Sequence, residues 1–173
     1  MIRLALTFLL GGLFASHQIH AAQAAERVQF ESARYQVGPL QRRLALERRE
    51  PIIPAAPSII DGFLTRPGGP GPFPAIVHLH VCGGLPDDVK RGADHFWSDR
   101  LASWGYAVLV VDSYTTRGIS NTCSGEPAAR AADAYGALAW LARQPFVDAN
   151  RVAVIGFSAG GIATLSIAEE RDF

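Results

Sequence analysis

Residues 151–170 read RVAVIGFSAGGIATLSIAEE, and their pattern changes at Ser158. An apolar run leads into Gly-Phe-Ser-Ala-Gly-Gly, and an apolar, alanine-rich run of helical character follows. A serine joining a buried strand directly to a helix is the layout of a nucleophile elbow, in which a sharp turn lifts the side chain out of the sheet. Glycines at 156 and 160 suit such a turn, because side chains there would collide with the neighbouring backbone. Gly161 would let the helix pack close to the sheet. A helix starting immediately after Ser158 points the Ala159 N–H outward at its positive end, where it can bind a developing oxyanion. The same stretch is a poor dinucleotide fingerprint. Ser158 replaces the second glycine of G-x-G-x-x-G, and the acidic residue expected to follow is missing.

Working back from Ser158, strands and helices alternate. Residues 75–81 (AIVHLHV), 106–112 (YAVLVVD) and 152–157 (VAVIGF) read as buried strands. Residues 88–105 and 129–144 read as helices, the first closed by Gly105 and the second bracketed by Pro127 and Pro145. Strands apolar on both faces and separated by helices predict an α/β fold, a mostly parallel sheet covered on both sides. Residues 58–67 read as a further strand and 68–74 (GGPGPFP) as a turn. Closer to the N-terminus, 28–32 and 34–38 read as short strands. Residues 38–58 read as an irregular, basic and proline-rich connection with one helical turn.

The first 24 residues form a separate segment. A positive start at Arg3, an apolar run over 4–15 and the small-residue region HAAQAAE match a secretory signal peptide, with cleavage expected near Ala24. The apolar run falls short of the ~20 residues a spanning helix needs, so no stable membrane anchor is expected after cleavage. The mature protein would be secreted or periplasmic. The domain reading is therefore a signal peptide over 1–24, an N-terminal segment over 25–58 and the start of an α/β domain over 59–173. Sixteen basic and sixteen acidic residues leave no net charge, which argues against nucleic acid as a partner. The chain has two cysteines, Cys82 and Cys123. Export into an oxidising compartment permits a disulfide between them, and two independent buried thiols are the alternative.

The loop after the strand at 75–81 reads His80-Val81-Cys82-Gly83-Gly84. Its place in the chain suits the second half of an oxyanion hole, with the Cys82 N–H as donor and Gly83 and Gly84 easing the turn. His80 reads as a residue that orders this loop. His78, His80 and Cys82 alternate and would share one face of an extended strand, but the strand is apolar and no fourth ligand is evident, so no metal is expected. His95 reads as solvated. Asp112 reads as tying down the following loop through backbone hydrogen bonds, and Asp148 as a turn residue. Neither suits a triad acid, which in this layout follows the serine, with the histidine later still.

The motifs HVCGGL at 80–85, GYAVLVVDSYTTRG at 105–118 and QPFVDANRVAVIGFSAGG at 144–161 together resemble the dienelactone hydrolase family of α/β-hydrolases, over roughly residues 59–168. The resemblance implies an α/β-hydrolase fold and hydrolysis of a small-molecule ester or lactone, with neither metal nor organic cofactor. Ser158 would be the nucleophile, and the Ala159 and Cys82 N–H groups the oxyanion donors. The enzymes that gave the family its name carry cysteine at the elbow, so serine here favours a general esterase over dienelactone itself. The acid and histidine would lie beyond Phe173, which makes the chain the front portion of a longer enzyme. A binding protein that kept this fold without its triad, and a carbohydrate-ester or peptide hydrolase, are the competing readings.

Overall fold

The computed structural model describes residues 24–34, 39–52, 56–90, 96–119 and 127–169. Five strands, β1 (Glu26–Glu31), β2 (Ile59–Thr65), β3 (Phe73–Leu79), β4 (Ala107–Asp112) and β5 (Val147–Gly156), form one sheet in the order β1-β2-β4-β3-β5. The β3–β4 and β3–β5 pairs are parallel, whereas β1–β2 and β2–β4 are antiparallel. The helices are α1 (Pro39–Arg48), α2 (Asp87–Lys90), α3 (Phe96–Ser103), α4 (Pro127–Ala142) and α5 (Ala159–Glu169).

Why the sheet is covered on both faces follows from the alternation of side chains along its central strands. On β4, Ala107, Leu109 and Val111 point to one side, together with Ala75, Val77 and Leu79 of β3. There they meet Ala134, Ala137 and Leu141 of α4 and Ala163 of α5. Val108 and Val110 of β4, with Ile76 of β3, point to the other side and pack on Leu85, Val89 of α2 and Leu101 of α3. All six residues of β4 are buried. Each fully buried Val, Leu or Ile contributes about 1.5–3 kcal/mol over its exposed state, so the wholly buried β4 and its neighbour β3 contribute strongly to the fold. The first strand is pinned by polar contacts as well. Asp61 of β2 is buried and accepts hydrogen bonds from Arg27 Nη2 at 2.5 Å and Gln29 Nε2 at 2.9 Å, both on β1.

The structure departs from the sequence expectations at the periphery. Residues 39–48 form a ten-residue helix, not an irregular connection with one turn. The segment is made of Leu, Arg, Gln, Ala and Glu, all good helix formers. Its one proline is at the first position, where helices tolerate it. An Arg43–Glu47 pair at 3.2 Å joins successive turns, and Arg49, at φ +56°, ends the helix. Helices α2 and α3 fall largely within the stretch expected as a helix over 88–105, and residues 91–95, with His95, lie outside the described residues. All but the last residue of the signal-peptide reading over 1–24, most of the strand reading at 34–38, and Cys123 also lie outside them. Among the described residues no helix is long and apolar enough to cross a membrane.

Candidate functional site

The carboxyl ends of parallel strands β3 and β5 lie side by side, with Leu79 paired to Gly156. In open α/β sheets this end of the strands is where ligands bind. Ser158 sits between β5 and α5 at φ +52° and is exposed. It is one of two non-glycine residues in the left-handed region among those described. Such a conformation costs an L-residue of order 1–3 kcal/mol, and strain of this kind clusters at functional sites. The turn is held by hydrogen bonds from Gly160 N to Phe157 O at 2.9 Å and from Ile162 N to Ser158 O at 3.1 Å. Ala159 is the first residue of α5, so its N–H belongs to the helix-start donors that have no partner within the helix.

Two glycines bring the backbones together here. A Cβ on Gly156 would lie 2.3 Å from Gly160 C and O, and one on Gly160 would lie 2.2 Å from Leu79 O and 2.8 Å from His80 O. Gly160 is thus the point at which the helix start touches the end of β3. Gly161 is less confined, with Gly156 O at 3.3 Å from its notional Cβ. Helix and strand meet most tightly at 160, one residue earlier than the sequence suggests.

Residues 80–84 leave β3 in a tight turn closed by Gly84 N donating to Val81 O at 3.1 Å. Gly84 takes φ +77°, whereas Gly83 has open space where a side chain would go. Only one glycine of the pair is therefore demanded by conformation. Cys82 is half-buried and disulfide-bonded, and Cys123 lies outside the described residues.

His80 is 4% exposed. Its Nδ1 lies 2.6 Å from Val81 O; a carbonyl only accepts, so Nδ1 carries the proton. Burial lowers the pKa of the ring below the ordinary 6.5, with the Arg130 charge acting in the same direction, which favours the neutral form. The Tyr114 ring meets His80 edge-on at 4.7 Å, and the Arg130 guanidinium lies 5.6 Å from the centre of that ring. Arg130 Nη2 donates a hydrogen bond to the His80 carbonyl. His78 faces the other side of the sheet, its ring 5.8 Å from Phe157. The two histidines, two residues apart in sequence, thus occupy different surroundings. Among the described residues no group of three His, Cys, Asp or Glu is placed to hold a metal ion.

Phe157 also stacks on Trp97 at 5.5 Å, so an aromatic pair stands next to the serine in the chain. On the following loop, Asp112 Oδ1 accepts from Tyr114 N at 3.1 Å and Thr115 N at 3.0 Å, as its sequence position suggests. Arg117 then makes two hydrogen bonds to Asp133 of α4, at 2.7 and 2.8 Å. Asp148 is not a turn residue ahead of the strand but part of β5. Its carboxylate accepts from Arg151 Nε at 2.6 Å and Asn150 N at 3.1 Å, and those bonds lower its pKa. Nothing in the local sequence pattern marks Arg130 or Tyr114 as part of this site, apart from a lone arginine among alanines in PAARAADAYG at 127–136.

Comparison with known proteins places this geometry in context. The family model described as X-Pro dipeptidyl-peptidase (S15 family) matches residues 60–172. Esterase FrsA of Klebsiella pneumoniae (strain 342) is 33% identical over 116 residues, covering 67% of this chain and 26% of the esterase. A dienelactone hydrolase-like promiscuous phosphotriesterase from metagenomic libraries superposes with a TM-score of 0.54 at 26% identity, over 84% of this chain and 54% of that one. An esterase solved with p-nitrophenol shares the fold at a TM-score of 0.55 and 21% identity, over 85% of this chain and 38% of the esterase. The chain therefore spans about a quarter of the curated relative and about half of the phosphotriesterase.

Proposed function

Since this chain belongs to the X-Pro dipeptidyl-peptidase (S15) family and is an α/β-hydrolase of dienelactone hydrolase type, we propose that it is the nucleophile-bearing part of an exported serine hydrolase. Its substrate would be a small carboxylic ester or lactone. The observation that carries this reading is Ser158, exposed at φ +52° where a parallel strand turns into a helix.

In the proposed reaction a histidine takes the proton from Ser158 Oγ as the oxygen attacks the substrate carbonyl. The carbonyl oxygen becomes an oxyanion, and the Ala159 and Cys82 N–H groups hydrogen-bond to it. Collapse of this intermediate breaks the ester bond and releases the alcohol, which takes the proton from the histidine. Water then attacks the acyl-enzyme in the same manner. In this fold the acid and the histidine follow the serine in the chain. They are assigned to residues outside this sequence, in keeping with the partial coverage of its relatives. The signal-peptide pattern before Ala24 supports a secreted or periplasmic location without a lasting membrane anchor. The chemistry described requires no cofactor.

The test uses the whole protein and a fluorophosphonate probe. Wild type should be labelled and Ser158→Ala should not, with ester turnover falling about a millionfold, the usual cost of losing a triad nucleophile. Equal labelling of both would refute the assignment. Absence of labelling and turnover in wild type would favour the binding-protein reading. The family match favours a peptide hydrolase as the second reading. Comparing p-nitrophenyl acetate with an X-Pro dipeptidyl p-nitroanilide separates the two.

A further inference from the structure

Arg130 is 2% exposed near the start of α4, and its Nε and Nη1 have no hydrogen-bond partner among the described residues. The nearby carboxylate of Asp133 is engaged in the two hydrogen bonds from Arg117. Among the described residues Arg130 has no close ionic partner; a buried cation so placed opposes folding, and an apolar side chain of similar volume would commonly serve stability better. What Arg130 does make is specific: Nη2 donates to the carbonyl of His80, the residue that leads β3 into the 80–84 loop. That same carbonyl would lie 2.8 Å from a Cβ on Gly160, so it also touches the first turn of α5. The guanidinium, the loop and the helix start therefore converge on one backbone oxygen.

We infer that Arg130 is a positioning residue for the oxyanion hole, holding the His80 carbonyl so that the Cys82 and Ala159 N–H groups keep a fixed separation. The inference rests on the reading of Ser158 as nucleophile. Two neighbours support the clamp. The Tyr114 ring meets the His80 ring edge-on at 4.7 Å and has the Arg130 guanidinium 5.6 Å from its centre. His80 Nδ1 is turned to Val81 O at 2.6 Å, so Nη2 can be directed at the carbonyl while it lies 3.3 Å from a ring nitrogen that already carries a proton. Arg130 would touch neither substrate nor the reacting atoms. Its effect would reach the reaction through the loop, and would grow as charge develops on the substrate oxygen.

The experiment compares Arg130→Met and Arg130→Lys with wild type in the whole protein. For p-nitrophenyl acetate, kcat/KM should fall by about tenfold to a hundredfold, somewhat less than the loss of a complete oxyanion donor. The inhibition constant of a trifluoromethyl ketone, which forms an oxyanion when Ser158 adds to it, should rise by the same factor. Affinity for the corresponding unreactive amide should stay within about twofold, since ground-state binding does not use the oxyanion hole. Lysine keeps the charge but not the planar fork, so Arg130→Lys carries the same readout where the methionine variant does not accumulate. Turnover surviving in Ser158→Ala would sink the nucleophile reading and this inference with it. Ser158-dependent turnover that both Arg130 variants leave within twofold would overturn the inference alone. So would a loss of kcat/KM without a matching loss of ketone affinity.

Discussion

Replacing Gly160 with alanine probes the contact on which the whole site is built. The added Cβ would sit 2.2 Å from Leu79 O, 2.8 Å from His80 O and 2.9 Å from Leu79 C. These are backbone atoms at the end of a central strand, so no side-chain rotation relieves the clash. A comfortable carbon–oxygen contact is about 3.3 Å or more, so the start of α5 and the end of β3 must separate by about 1 Å. Overpacking of this kind typically costs about 1–3 kcal/mol. The intrinsic helix preference of alanine over glycine returns at most about 1 kcal/mol. A net loss of about 1–2 kcal/mol is expected in urea denaturation of the whole protein. Turnover should suffer more, because a displacement of about 1 Å at reacting groups can cost on the order of a hundredfold. Gly161→Ala is the control. Its Cβ would meet Gly156 O at 3.3 Å, which a few tenths of an ångström of adjustment accommodates, and its stability should stay within about 1 kcal/mol of wild type. If the two variants match each other in both stability and turnover, the close approach at Gly160 does not govern the site and the reasoning is refuted.

Three further outcomes follow from the surrounding interactions. Asp133→Ala leaves the largely buried Arg117 guanidinium without its partner, whose carboxylate is fully buried; a loss of about 3 kcal/mol is expected, and a change below 1 kcal/mol in denaturant unfolding would count against it. His80 is held neutral by burial, so its folded pKa lies below 6.5. The unfolded chain then binds more protons as pH falls through 6.5, and stability drops between there and the lowered folded value, with a slope of at most about 1.4 kcal/mol per pH unit. His80→Gln should remove that acid-side slope between pH 7.5 and 5, and parallel profiles for the two proteins would contradict the assignment. Thiol titration of denatured, unreduced protein should find no free thiol if Cys82 is paired with Cys123, the one other cysteine in the sequence; two free thiols would exclude the pairing.

The sequence shows its central elements plainly and its edges poorly. Strands β3 and β4 are legible because both faces are apolar, and the Ser158 turn because glycines flank it between a strand and a helix. The N-terminal half of β5 is hidden, because Asp148 and Asn150 look like turn formers and in fact make a turn-like hydrogen bond within the strand. Near there the β3–β5 register shifts between Phe73 and Ala75. Helix α1 was obscured by the prolines at 51, 54 and 57, which lie beyond its end. The strand order, with β4 between β2 and β3, depends on crossovers that no local pattern encodes. Arg130 is hidden in the sequence for a similar reason. Its role depends on a carbonyl fifty residues away, and nothing within a helical window points there.

The two polar donors on β1 bear on how the chain avoids a misassembled sheet. Arg27 and Gln29 lie two residues apart, on the strand face that carries the buried Asp61 carboxylate opposite Gln29. Phe30, between them and the strand end, faces the opposite way into the core beneath α4. Sliding β1 by one residue would exchange these faces, sending Arg27 and Gln29 into apolar surroundings, turning Phe30 to water and stripping the buried Asp61 of both donors. Hydrophobic burial alone rewards any apolar residue that reaches the core, but this arrangement penalises a slipped strand three times over. Asp61 therefore acts as a proofreading device for an outer strand that is otherwise easy to misalign.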